Sequence, residues 1–314
     1  MKIAAWLTAA ALFSVASPVA AADPTNTVIF GDSIVDSGNV AVATGGAVPS
    51  AAQGYFQGRF SNGYHFGDYL NIKLAGVATT ASLLGGDNWA WGGSRGVGNA
   101  FGGFPTPGLP QQGADFLANG PRGATPNSLH ILNFGGNDVF GLQSGDTGGL
   151  SPAQFRALYV SNMVSAVQTL DALGARNILV MGIPNANATG FGLDAQLQAA
   201  LNGIEPGLTN ATLYRFSYFS FYNRLLSDPA SYGFTGGIIT QSNCLADRPV
   251  INGRIDCTGY FSFDGTHFTT QVHRGIARDL VQVLGVPEPG TWALMIVGFG
   301  LTGQALRRRS FQLA

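Results

Sequence analysis

A chain of 314 residues is long enough to bury one sizeable core without covalent staples. Hydrophobic residues make up 46% of it and charged residues only 11%, which argues against long charge-driven disorder. A formal net charge of −1 leaves no electrostatic footprint for nucleic acid.

The N-terminus reads as a secretory signal over residues 1–22. Met1-Lys2 is a small positive start, Ala4 to Ala16 is mostly apolar, and Ala20, Ala21 and Ala22 offer a small-residue cleavage site before Asp23-Pro24. Thr27 to Phe30 is short, apolar and β-branched, and it stops at Gly31. Leu129 to Phe134 and Asn177 to Met181 repeat the pattern, ending at Gly135-Gly136 and Gly182. Continuous apolar runs closed by glycine fit strands buried on both faces of a parallel sheet. A fourth strand is expected near Thr212 to Phe216.

Helices are expected between them. Ser151-Pro152 supplies a capping serine and a first-turn proline. The helix then runs toward Leu173, with Phe155, Leu158, Tyr159, Met163, Val164, Val167 and Leu170 at helical spacing. Phe219 to Leu226 and Thr270 to Leu284 read as two more, and Gln111 to Ala118 as a short one inside a Gly- and Pro-rich loop over 92–128. Strand–helix alternation argues for an α/β fold of βαβ units in a single domain over residues 23–285.

Export implies an oxidising compartment, in which Cys244 and Cys257 are expected to form a disulfide; two buried thiols are the alternative. Two cysteines alone make a poor metal site, because zinc usually wants more ligands. At the C-terminus, Val286-Pro287-Glu288-Pro289-Gly290 precedes an apolar stretch from Trp292 to Leu306, closed by Arg307, Arg308 and Arg309. That order resembles the PEP-CTERM sorting signal of Gram-negative bacteria. The resemblance implies transient membrane contact through residues 286–314 and processing by an exosortase-type enzyme. The protein would then reside at the cell surface, in the periplasm or in the extracellular matrix.

Three short strings carry chemistry. Gly31-Asp32-Ser33 follows the first strand, and a parallel sheet places function at its carboxyl end. A serine there, at the start of a helix, meets unpaired backbone N–H groups. Gly135-Gly136-Asn137-Asp138 follows another strand and offers a side-chain amide to a developing oxyanion. In Asp264-Gly265-Thr266-His267 the carboxylate and imidazole are three residues apart, which on a helical turn puts them on one face. The carboxylate can then fix the imidazole while its other nitrogen takes a proton from serine. Alone, each string has a structural explanation: a helix cap, an Asn-Asp turn, a capping aspartate. Together they supply nucleophile, oxyanion donor and oriented base.

The chain resembles the GDSL esterases and lipases of the SGNH hydrolase superfamily. Gly31-Asp32-Ser33-Ile34 corresponds to the first block, with Ile34 for the usual Leu, and continues into Val35-Asp36-Ser37-Gly38-Asn39. Arg59-Phe60-Ser61-Asn62-Gly63 and Asp228-Pro229-Ala230-Ser231-Tyr232-Gly233-Phe234 follow the lipase-like branch, as does the cysteine pair. Asn88-Trp89-Ala90-Trp91-Gly92-Gly93 resembles the second block, and the Asn137 and His267 strings the third and last. Phe268 departs from the family, which usually has Pro there.

The resemblance implies a flavodoxin-like three-layer α/β/α sandwich around a parallel sheet of about five strands. It implies a Ser33, Asp264 and His267 triad. The oxyanion hole would be built from Ser33, Gly93 (Gly92 being the close alternative) and Asn137. It also implies cleavage of a small-molecule or lipid carboxylic ester, with no metal or other cofactor. An acyltransferase or a polysaccharide deacetylase would use the same triad; a non-catalytic surface or matrix-binding protein is the alternative of another class. His65, His130 and His273 match no catalytic role. The substrate walls are expected from loops 39–58, 92–110 and 140–150.

Overall fold

The computed structural model describes residues 23–98, 105–120, 125–251 and 254–285. The expected signal segment 1–22 and sorting segment 286–314 lie outside them. In chain order the elements are β1 (Asn26–Gly31), α1 (Asn39–Ala43), α2 (Phe66–Ala75), α3 (Leu109–Asn119), β2 (Ser128–Asn133), α4 (Gly136–Ser144), α5 (Pro152–Ala172), β3 (Asn177–Met181), α6 (Ala188–Ile204), β4 (Thr212–Phe216), α7 (Tyr218–Ser227), β5 (Ile239–Asn243), α8 (Cys244–Asp247), β6 (Val250–Ile251), β7 (Arg254–Ile255), β8 (Tyr260–Ser262) and α9 (Thr270–Val283).

The main sheet is parallel, in the order β1-β2-β3-β4. It therefore has four regular strands among the described residues, where about five were expected. The fifth position is occupied by an irregular extended segment, residues 87–91, along the free edge of β1. There Ile29 N–H donates to Asp87 O (3.0 Å), Trp89 N–H to Ile29 O (2.7 Å) and Trp91 N–H to Gly31 O (3.0 Å). Because the chain leaves β1 toward this segment and returns to β2 on the opposite side, β1 marks the point where the winding reverses. Ligands bind at the carboxyl ends of strands at such a point.

Alternating strand residues feed two apolar clusters on opposite faces. Val28, Phe30, Leu132, Ile178 and Val180 pack with residues of α3, α5 and α6. Ile29, Leu129, Ile131, Leu179 and Met181 pack with residues of α2, α7 and α9. All five residues of β3 are buried, as a doubly covered strand requires. α5 begins as its sequence predicts: Ser151 Oγ accepts from Gln154 N–H, and the Gln154 side chain reaches back to complete a capping box. Its buried stripe is Phe155, Tyr159, Met163, Val167 and Leu170, at steps of three and four residues. Leu158, expected on that stripe, is exposed instead.

A smaller subassembly follows α7. β5 and β8 pair in parallel, and Cys244 and Cys257 are joined by a disulfide with Cα atoms 5.4 Å apart. Around it, Tyr260, Phe263, Tyr55 and Leu245 form a local apolar cluster. This unit carries the segment between β8 and α9, and with it Asp264 and His267.

Candidate active site

Ser33 sits in a tight turn after β1, with Val35 N–H donating to Asp32 O (3.1 Å). The helix expected to begin there starts only at Asn39, because the Asp36–Gly38 stretch is used otherwise. Asp36 Oδ1 accepts from Gly38 and Asn39 N–H (both 2.7 Å), and its Oδ2 accepts from Gly92 N–H (3.0 Å). The Asn39 amide donates to Asn88 O and Ala90 O, while Asn88 Nδ2 donates to Val35 O and Ser37 Oγ. The polar residues after Ser33 thus knit its turn to the segment 87–92. Burial raises the Asp36 carboxyl to about 6 against four backbone donors.

Asp32 is buried beneath Ser33. Its Oδ1 accepts from Ile34 N–H (3.0 Å) and from the Asn133 amide (3.1 Å), which ties the turn to the end of β2. Burial, with a contribution from nearby Asp138, lifts its pKa to about 7 despite these bonds.

His267 Nε2 lies 2.8 Å from Ser33 Oγ, and its Nδ1 lies 2.7 Å from Asp264 Oδ2. The two residues are separated by 234 positions in sequence, so the fold alone creates this contact. The Asp264–His267 pair does not lie on a helix, contrary to expectation. It occupies a tight loop in which Asp264 Oδ1 accepts from Thr266 N–H (2.9 Å) and His267 N–H (2.8 Å), with Gly265 at φ 94°. A carboxylate-capped turn brings Asp and His together as a helical turn would, and the positive φ suits glycine. Burial works to raise the Asp264 pKa. The hydrogen bond and charge of His267, with the two backbone donors, outweigh it and hold the group down at about 2. Asp264 is therefore an anion whenever His267 takes a proton.

Asn137 lies in the first turn of α4, after Gly135 at φ 118°. Its Nδ2 donates to Ser94 O at 2.9 Å, leaving one amide hydrogen over. Asp138 does not face the substrate space; it accepts from Gly96 N–H (2.9 Å) and Val97 N–H (3.1 Å), fixing the chain just past Gly93. Gly92 has its N–H committed to Asp36, and a Cβ there would meet the Phe60 ring. Gly93 has φ 83°.

Ser33, Asn137 and His267 open onto a cavity of about 390 Å³. Ile34, Phe140, Tyr222, Leu226, Phe261 and Phe268 make most of its apolar wall. The expected walls need correction: among the described residues, loops 39–58 and 92–110 contribute nothing and loop 140–150 contributes only Phe140. Residues 99–104 of the second loop lie outside the described ones. The walls come instead from the ends of β1, β2 and β3 and from α7, β5 and the His267 loop. Phe268, standing where the family usually has Pro, is part of this wall and packs on Tyr222 and Phe261.

Among the described residues, one other Ser-His-Asp group is present and lacks the polarity for catalysis. Ser37 Oγ lies 2.9 Å from His65 Nε2, but His65 Nδ1 accepts from Asp68 N–H. Nε2 therefore carries the proton and donates to Ser37, so this imidazole cannot act as its base. Burial pushes His65 down to about 4. His65, His130 and His273 are all buried. Among the described residues, no group of three or more His, Cys, Asp or Glu is arranged to hold a metal ion. No helix among them is long and apolar enough to cross a membrane. Sequence reasoning overlooked Tyr55, whose hydroxyl donates to Asp264 Oδ2 at 2.8 Å; its only signal was its place just before Arg59-Phe60.

A family model for GDSL-like lipases and acylhydrolases matches residues 27–280, and one for the PEP-CTERM protein-sorting motif matches residues 285–310. Among curated proteins, the secreted effector protein SseJ of Salmonella typhimurium is 30% identical over 178 residues, 54% of this chain and 37% of that protein. The chain thus aligns with little more than a third of that relative's length. Among solved structures, one concerns a carbohydrate esterase whose active site displays divergent catalytic and non-catalytic binding functions. It aligns over 87% of this chain and 68% of its own, at 15% identity and a TM-score of 0.44. The family match covers most of the sequence, including each of the three chemical strings, and the chain belongs to the GDSL-like lipase/acylhydrolase family.

Proposed function

We propose that this protein is an exported hydrolase that cleaves carboxylic esters through an acyl-enzyme on Ser33. The observation that carries this is the relay from Ser33 Oγ through His267 to Asp264, at 2.8 and 2.7 Å, at the edge of an apolar cavity. Ser33 Oγ attacks the ester carbonyl as His267 Nε2 takes its proton, and Asp264 stabilises the imidazolium. The oxyanion is held by the N–H groups of Ser33 and Gly93 and by the spare amide hydrogen of Asn137. The commitment of Gly92 N–H to Asp36 favours Gly93 over Gly92 for this role. The protonated imidazole releases the alcohol; water, activated by the same nitrogen, then frees the acid.

The aromatic and aliphatic wall favours an acyl chain longer than acetyl. Export rests on the N-terminal signal pattern and the matched sorting motif, which also points to an exosortase as processing partner. Hydrolysis of aryl esters of graded chain length tests the proposal, with Ser33→Ala as control. Turnover that peaks above acetyl and vanishes in the variant supports it; turnover retained by the variant rejects it.

A further inference from the structure

Asp264 receives four hydrogen bonds. Two backbone donors occupy Oδ1, and Oδ2 is shared between His267 Nδ1 and the hydroxyl of Tyr55. Tyr55 comes from a different part of the chain, 209 residues away. Its ring is held edge-on against Phe263 (centroids 5.0 Å apart) and against Phe60 (6.3 Å). Phe60 in turn lies 5.2 Å from the His267 ring, tilted by 36°, and fills the space above Gly92. The segment is pinned to the His267 loop by two further bonds: Ser61 Oγ donates to Phe268 O (2.8 Å), and Asn62 Oδ1 accepts from Thr270 N–H (2.9 Å).

We infer that Tyr55 is a positioning residue of the catalytic relay, acting on the Oδ2 atom of Asp264 that also accepts the hydrogen bond from His267 Nδ1. This rests on the proposed ester chemistry only for its consequence in turnover; the hydrogen bond itself does not. A hydroxyl donating to Oδ2 draws charge away from the bond to Nδ1 and fixes the rotation of the carboxylate. Burial and the Asp264 carboxylate keep the Tyr55 hydroxyl protonated far above its ordinary range, so it serves as a donor throughout the working pH range. Without it, Oδ2 turns its full charge toward the imidazole, and the carboxylate loses one of the contacts that fix its rotation.

Tyr55→Phe removes the hydroxyl and retains the ring contacts. Two readouts separate positioning from bulk. The first is the His267 Nδ1 proton resonance, followed by NMR in the intact protein, which needs no turnover. It should move downfield in the variant. The second is the pH–rate profile on an aryl ester, with wild type and Ser33→Ala alongside. We expect kcat to fall roughly 5–20-fold with little change in KM, and the acid limb to move to higher pH. A folded Tyr55→Phe protein with unmoved resonance and unmoved limb overturns the inference, whatever happens to kcat. If wild type fails to hydrolyse any ester, the ester chemistry falls and the resonance alone decides the role of Tyr55.

Discussion

The side-chain amide of Asn137 donates to Ser94 O at 2.9 Å, on the stretch that follows Gly93. One bond therefore orients the amide and ties the α4 turn to the turn after residues 87–91. Asn137→Ala should leave a folded protein with kcat lowered about 10²–10³-fold, the usual loss for one oxyanion donor. Thermal unfolding beside ester kinetics checks both halves of that statement.

Leu226 stands at the mouth of the cavity and is 53% exposed. Leu226→Trp should narrow the slot with little change in stability. Relative kcat/KM for the longest acyl esters should drop roughly tenfold, while acetyl esters keep theirs. A uniform change across the chain-length series would show that the acyl group lies elsewhere.

The disulfide closes a short loop beside Phe263, the neighbour of Asp264. Replacing Cys244 and Cys257 with serine should cost about 3 kcal/mol, the order expected for a loop of this size. Because the loss loosens the Asp264 loop, activity should fall before global unfolding when urea is raised. Parallel denaturation curves by activity and by circular dichroism test this; coincident curves would contradict it.

Asp32 makes stability depend on pH. Its pKa is near 4 in the unfolded chain and is raised to about 7 by burial in the folded one. The folded state holds a proton that the unfolded state releases, so this group's contribution to stability falls as pH rises from 4 to 7 and is flat above. His65 and His130, pushed down to about 4 by burial, act in the opposite sense: stability is lost as pH falls from 6.5 toward 4. The difference between Asp32→Asn and wild type isolates the first effect. The variant's advantage should grow between pH 4 and 7 and then level off, which unfolding at several pH values can measure.

The chemical parts are legible in the sequence because each stands directly beside a strand end or a turn glycine. Three strands are legible as apolar runs bounded by turn signals, β1 to β3; β4, Thr-Leu-Tyr-Arg-Phe, is legible only as a short β-prone stretch. The fifth edge segment is not, since Asn88-Trp89-Ala90-Trp91 has no strand periodicity and is held to β1 by three backbone bonds, with further support from the side chains of Asn39 and Asn88. The Asp264 turn reads as helical in sequence because a three-residue spacing suits a helix and a capped loop equally. The cavity walls are not legible, because glycine-rich loops suggest adaptable pockets whether or not they line one. The true walls, such as Phe268 and Tyr222, come from elements far apart in sequence that only tertiary packing brings together. Tyr55 was invisible for that reason too.

The central claim is that Ser33 carries the acyl group. Mass spectrometry of the intact protein after treatment with a fluorophosphonate tests it most directly. A single adduct on the Ser33 peptide is predicted, absent in Ser33→Ala and strongly slowed in His267→Ala. No adduct on folded wild type, or an adduct that persists in Ser33→Ala, would contradict it.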